Sequence, residues 1–215
     1  MTTLYSYFRS SASYRVRIAL NLKGLGFDTI PVHLLNQGGE QFLPRFAELN
    51  PHSLVPVLAH EGRHLTQSLA ILEYLEERFP MPSLLPGNAL ARSRIRALAL
   101  DIACEIHPLN NLRVLRYLKH QLGVDEDQKG AWIQHWIKLG FSALEMQLAA
   151  DATRGHFCVG DTPTMADCCL VPQLFNARRF EVDMAPYPTL VAIEDACNAL
   201  PAFQQAHPAQ QPDAA

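Results

Sequence analysis

The chain has 215 residues, of which 48% are hydrophobic and 18% charged, with a formal net charge of −3. That is enough apolar material for one large domain or two small ones. The charge leaves no electrostatic footprint for nucleic acid or an anionic membrane, no run approaches a membrane span, and the N-terminus lacks the basic-then-apolar pattern of a signal peptide. The five cysteines (Cys104, Cys158, Cys168, Cys169 and Cys197) are odd in number and form no CxxC pair. Buried free thiols in a reducing compartment follow, and we expect a cytoplasmic protein. His60 and His64 are four apart, but Gly62 between them predicts a turn, so no metal site is expected.

Residues 4–8 alternate Tyr5 and Tyr7 with Leu4, Ser6 and Phe8, which predicts a strand. The run breaks at Arg9-Ser10-Ser11, and Val16, Ile18, Ala19 and Leu20 then give a helical apolar face. Serine is a favoured N-cap, and a helix N-terminus with its exposed N–H groups suits an anion. Taken alone, this stretch reads better as a simple cap beside solvated arginines. Lys23-Gly24 and Gly26 predict the helix end. Residues 27–34 predict a second strand, parallel to the first through the helical crossover. Residues 36–39 read as a polar loop, and 41–49 as a helix bearing Phe42, Phe46 and Leu49.

Leu54, Val55, Val57 and Leu58 are strand formers, yet Pro56 stands among them and cannot donate to a ladder. A cis Val55–Pro56 bond at the strand start resolves the conflict; a trans proline on an edge strand is the alternative. A hairpin turning at Glu61-Gly62 follows. Gln67-Ser68 then introduces a helix over 69–79, with Ser68 as its N-cap. This is a second strand-to-helix junction with a polar entry, and so a second candidate anion site.

Pro80, Pro82, Pro86 and Gly87 mark a linker at 81–88. The sequence therefore divides into an α/β domain at 1–80 and an all-α domain at 89–215. In the latter, 89–122 predicts one long helix kinked at Pro108, and 127–150 another. Thr164 and Asp167 form a capping box for a buried helix, which gives Asp167 a structural role. Residues 188–206 predict a final helix, and the Gln/Pro/Ala-rich tail beyond Pro208 predicts a frayed end.

The order βαβα–ββα followed by helices resembles the thioredoxin-like plus all-α fold of glutathione transferases. Within that family the chain is similar to the zeta class, the maleylacetoacetate and maleylpyruvate isomerases. The resemblance rests on the stretch SSASYRVRIAL at 10–20, on Asn50-Pro51 with Val55-Pro56, and on Gln67-Ser68-Leu69-Ala70-Ile71. It continues through residues 108–112, 159–167, 170–173, Arg179-Phe180 and Pro186-Tyr187-Pro188, so it spans nearly the whole chain. Two positions depart from the class pattern: Ala12 replaces the signature cysteine, and His107 stands where glutamine is common.

The resemblance implies glutathione as cofactor and a cis–trans isomerase acting on a small dicarboxylate oxo-acid. The implied chemistry is transient addition of the glutathione thiolate, with the Ser10 hydroxyl donating a hydrogen bond to that thiolate, Ser11 as backup donor and Arg9 beside them. By family position Val55, Pro56, Gln67 and Ser68 hold the tripeptide, and Arg15, Gln41, His107, Asn111 and Arg113 line the rest of that site. Arg9 and Arg179 are the implied cations for the diacid, since guanidinium forks suit carboxylates, with Arg15, Arg17 and Arg178 as weaker candidates. Maleylacetoacetate and maleylpyruvate stay open as substrates. A general transferase conjugating apolar electrophiles is disfavoured by the Arg9/Arg179 pair, and a non-enzymatic scaffold by the presence of Ser10, Ser11, Gln67 and Ser68. A thiol oxidoreductase is disfavoured because 10–13 holds no cysteine. Family analogy alone implies a homodimer.

Overall fold

The computed structural model describes residues 2–152 and 154–214. It divides into two compact units, Met1–Leu84 with Asn198–Ala215, and Leu85–Cys197. The first therefore takes in 198–215, which the sequence partition had left in the helical domain.

In the first unit, strands β1 (Thr3–Ser6), β2 (Asp28–Pro31), β3 (Val57–His60) and β4 (Arg63–Thr66) form one sheet in the order β2-β1-β3-β4. β2 is parallel to β1, as the crossover predicts; β3 and β4 are antiparallel to their neighbours. The hairpin turns at Glu61 and Gly62, both at positive φ (47° and 71°), which gives the two-residue turn the twist of its strands. β2 is shorter than expected because its partner β1 ends at Ser6, whose carbonyl accepts the Val32 N–H at 2.8 Å as the last ladder bond. Helix α1 (Ser11–Leu22) buries Tyr14, Val16, Ile18, Ala19 and Leu20.

The helix expected over 41–49 is instead a 3₁₀ turn (Glu40–Phe42) followed by a single α-turn, α2 (Pro44–Ala47). Pro44 forces Leu43 out of the helical region, to φ −67° and ψ 143°. Helix α3 (Ser68–Arg78) also starts one residue earlier than predicted. Gln67, not Ser68, occupies the N-cap position, at φ 66°, and no side chain caps the helix. Helix α9 (Pro201–Ala206) closes this unit against α1, burying Phe203 and Ala206.

The second unit is helical. The single helix expected over 89–122 is broken into α4 (Ala89–Leu100), a π-helical turn (Asp101–Ile106), a 3₁₀ turn (His107–Asn110) and α5 (Leu112–His120). Pro108 lacks the N–H that an uninterrupted helix needs, and Asn111 restarts the coil by accepting the Val114 N–H at 3.2 Å. Helix α6 (Glu126–Ala149) begins with an Asp125/Gln128 capping box.

The Thr164/Asp167 box opens helix α7 (Met165–Arg179) as predicted. Asp167 Oδ2 accepts the Thr164 N–H and hydroxyl at 2.7 Å each, and Oδ1 accepts the Cys158 N–H at 2.8 Å. Burial raises the carboxyl pKa while these bonds oppose the rise. The helix expected over 188–206 is split into α8 (Pro188–Asn198) and α9, because Pro201 starts a new N-terminus. No helix among the described residues is long and apolar enough to cross a membrane.

Candidate functional site

The sheet register gathers one half of the candidate residues. Tyr5 pairs with Val57, and Val57 with Thr66. Residues leaving β1, entering β3 and leaving β4 therefore lie at the same end of the sheet. Those residues are the turn at 7–11, Val55-Pro56 and Gln67-Ser68. Ser6 pairs with Pro31, so the chain from Val32 to Gln41 leaves β2 at this end too. The Val55–Pro56 bond is cis, and Val55 packs with Tyr7, Val32, Phe46 and Val57.

Two helix N-termini face this end. At α1, Ser10 is the N-cap, and its Oγ accepts the Ser13 N–H at 3.2 Å. A hydroxyl that accepts from the backbone still has its proton to donate. At α3, Ser68 Oγ accepts from Arg15 Nη1 at 3.2 Å, which ties the starts of α1 and α3 together. Arg15 is buried, with 2% exposure, so it braces this pair from the protein side. Gln67 sits in a backbone region that costs a non-glycine residue of order 1–3 kcal/mol, and such strain clusters at ligand clamps.

Arg9 directs Nη2 and Nε to the Tyr7 hydroxyl at 2.9 and 3.3 Å, and its guanidinium lies 4.9 Å from the Phe8 ring centre. Tyr7 in turn stacks edge-on with Phe8 and His33. Gln41 is buried, and its Oε1 has no hydrogen-bond partner among the described residues.

Arg17, a weaker candidate for the diacid, is corrected by the structure. It is buried, and its guanidinium donates to Ser6 Oγ, the Phe8 carbonyl and the Ala206 carbonyl, all at 3.0 Å. Burial lowers its pKa to about 10, partly offset by Tyr14 and Asp213.

The second unit holds the other candidates. His107 opens the 3₁₀ turn, Asn111 caps α5, and Arg113 is exposed in the first turn of α5. Asn176 Nδ2 donates to Asn110 Oδ1 at 3.3 Å, which links this turn to the last turn of α7, where Arg179 is exposed beside the Phe180 ring. Arg178 is committed elsewhere: its Nε bonds Glu194 Oε2 at 3.1 Å, and this contact raises its pKa. Among the described residues no three His, Cys, Asp or Glu side chains group to hold a metal ion. Sequence reasoning missed the supporting residues Tyr7, Asp213 and Ala206. Nothing in the local pattern marks them, because their partners are distant in the chain or chosen by the turn.

A thioredoxin-like sheet with serines at two helix starts, and a helical unit beside it in the chain, is the arrangement of a glutathione-binding protein. The glutathione S-transferase N-terminal domain model matches residues 9–78 and the C-terminal domain model 130–206. A probable maleylacetoacetate isomerase from Vibrio cholerae is 53% identical, with 98% of this chain and 97% of that protein covered. A solved holo structure of maleyl pyruvate isomerase, described as a bacterial zeta-class glutathione S-transferase, is 50% identical at a TM-score of 0.96, covering 99% and 100% of the two chains. A maleylacetoacetate isomerase from Anaeromyxobacter dehalogenans, solved with dicarboxyethyl glutathione and citrate in its active site, is 46% identical at a TM-score of 0.87, covering 100% and 98%. The chain belongs to the zeta class of the glutathione S-transferase family.

Proposed function

We propose that this protein is a glutathione-dependent cis–trans isomerase that converts maleylacetoacetate to fumarylacetoacetate. The observation that carries it is the convergence of 7–11, Val55-Pro56 and Gln67-Ser68 at one sheet end, with α1 and α3 bridged by Arg15 and Ser68. The relatives named as isomerases, one of them bound to a dicarboxylate glutathione adduct, support it.

Bound glutathione supplies a thiolate that adds to the cis double bond, leaves a rotatable single bond, and departs when the trans double bond re-forms. The protein's part is to hold that thiol ionised. A cysteine thiol has a pKa of about 8.5, and each unit of lowering takes about 1.4 kcal/mol of preferential anion stabilisation. The Ser10 hydroxyl and the α1 N-terminus together supply roughly one to two units. Ser11 begins α1 and is the second donor. Val55 and Pro56 lie beside the cysteinyl part, and Gln67 and Ser68 at the α3 start take the γ-glutamyl carboxylate. By family position Gln41 of the first unit, and His107, Asn111 and Arg113 of the second, are the further cofactor candidates. Arg9 in the first unit and Arg179 in the second are the candidate cations for the diacid substrate, and Arg15 stays a brace. In this reading the first unit, 1–80 with 198–215, is the glutathione-binding domain, 81–88 the linker and 89–197 the substrate-binding domain. The protein works as a homodimer in the cytoplasm, a compartment consistent with its five free cysteines.

Maleylpyruvate is the second reading of the substrate, because a relative 50% identical carries that name against 53% for the maleylacetoacetate one, and a methylene is discriminated by only about 1–3 kcal/mol. Purified protein given each maleyl-oxo acid with glutathione should consume the cis enedione absorbance. Turnover that is the same without glutathione would overturn the mechanism. Light scattering at twice the chain mass of 24.0 kDa checks the dimer.

A further inference from the structure

The turn that presents Ser10 is fixed by groups at the far end of the chain. The Phe8 N–H donates to Asp213 Oδ2 at 2.9 Å, across 205 sequence positions. The Phe8 carbonyl accepts from Arg17 Nη2, and the same guanidinium holds the Ala206 carbonyl through Nε. Both backbone polar groups of the residue just before Arg9-Ser10 are therefore tied, directly or through one side chain, to residues 206–213.

That stretch, where a frayed tail is expected, is itself hydrogen-bonded. His207 Nδ1 accepts the Ala209 N–H at 3.2 Å and so caps a 3₁₀ turn, Pro208–Gln210. Gln211 Nε2 donates to the carbonyls of Gln205 and His207 at 3.0 Å each. The His207 ring also meets Tyr14 of α1 edge-on, with ring centres 6.3 Å apart. Asp213 further offsets the buried charge of Arg17.

We propose that Asp213 is a positioning residue: the C-terminal strap sets the pitch of the β1–α1 turn, and with it the direction in which Ser10 Oγ and the first N–H groups of α1 address the glutathione sulfur. This rests on the thiolate site under Proposed function. A carboxylate suits the task because a charge-assisted acceptor holds a backbone N–H more firmly than a neutral one. The tolerance of the site is small, since a displacement of about 1 Å can cost up to 10²-fold in rate.

The test uses the full chain as wild type, D213A and D213N. Three quantities are read: kcat with glutathione, the pH titration of the bound thiolate by its ultraviolet absorbance, and hydrogen exchange over residues 7–10. D213A removes the acceptor; kcat should fall roughly tenfold, within the misplacement range, with the thiolate titration shifted to higher pH and faster exchange in the turn. D213N keeps an oxygen acceptor for Phe8 and should restore most of all three. If D213A does not fold, deletion of residues 212–215 replaces it with the same expectations. Wild-type kcat and titration in D213A would overturn the proposal. So would a loss explained by the folded fraction alone, or D213N as impaired as D213A. Absence of a bound thiolate in the wild type would instead sink the thiolate site, while the exchange data would still report the tether.

Discussion

Arg15 and Arg17 stand two residues apart in α1, and in sequence both read as cations beside an anion site. The structure buries both and commits them to opposite tasks: Arg15 reaches forward to Ser68 at the start of α3, Arg17 backward to the turn after β1 and to α9. Arg17 reaches Ser6, Phe8 and Ala206 through three different nitrogens, Nη1, Nη2 and Nε, a spread that the single nitrogen of lysine does not reproduce. Arg17→Lys should destabilise the protein by about 2–3 kcal/mol, the cost of losing one or two charged hydrogen bonds. A urea midpoint unchanged from wild type would refute that. Arg9 is the counter-example. It is half-buried in the same turn and is held by Tyr7 and Phe8, which orients it.

Between elements, junctions are closed by single polar groups or by close approach. Lys23, the C-cap of α1, directs Nζ to Glu76 Oε2 at 2.8 Å and to the carbonyls of Phe79 and Pro82. Burial acts to raise the Glu76 pKa, but the bonds from Lys23, Ser83 and the Leu84 N–H outweigh it and hold the carboxyl below its usual value. Its contribution is therefore present above the unfolded pKa near 4.5 and is lost as pH falls through the lower folded value. Glu76→Ala leaves the Lys23 charge buried without its carboxylate and should cost about 3 kcal/mol, measured by denaturant titration at pH 7. The variant should also lose part of the wild-type acid sensitivity below that pH.

In the helical unit, a Cβ placed on Gly140 of α6 would stand 2.3 Å from Ile106 Cδ1 and 2.4 Å from its Cγ1. Helix propensity favours alanine there by about 1 kcal/mol, but overpacking a buried isoleucine costs about 1–3 kcal/mol. Gly140→Ala should therefore be destabilising, and a raised melting temperature would contradict this account of why glycine sits in mid-helix.

Across the whole molecule, the first unit is assembled from both ends of the chain. Residues 198–215 close α1 and hold the turn that bears Ser10, so the stability of the tail and that of the site are linked. His207 carries a pH signature of that link. Burial, and secondarily Arg17, lower its pKa below 6.5. The unfolded chain then binds the proton more readily than the folded one, and stability falls as pH drops below about 6.5. His207→Asn keeps a capping acceptor and removes the titration. Its melting temperature should fall less than that of the wild type between neutral and mildly acid pH. Parallel curves for the two proteins would exclude His207 as the source.

The Val55–Pro56 isomer stayed open between cis and trans until the structure gave cis, whereas the order of elements, the parallel β1–β2 crossover, the Glu61-Gly62 hairpin and the Thr164/Asp167 box could all be read from the chain. Each depends on residues within a few positions of one another, where proline, glycine, capping side chains and apolar spacing act directly on the backbone. Lengths and breaks were less legible. Pro44, Pro108 and Pro201 each divided a segment whose apolar periodicity runs on unbroken, because periodicity reports the buried face and not the continuity of hydrogen bonds. The tertiary structure alone decided which arginine is buried and which is exposed, that Ser68 is a bridge and not a cap, and that Asp213 reaches Phe8. Those outcomes depend on partners tens to hundreds of residues away, which no local pattern encodes.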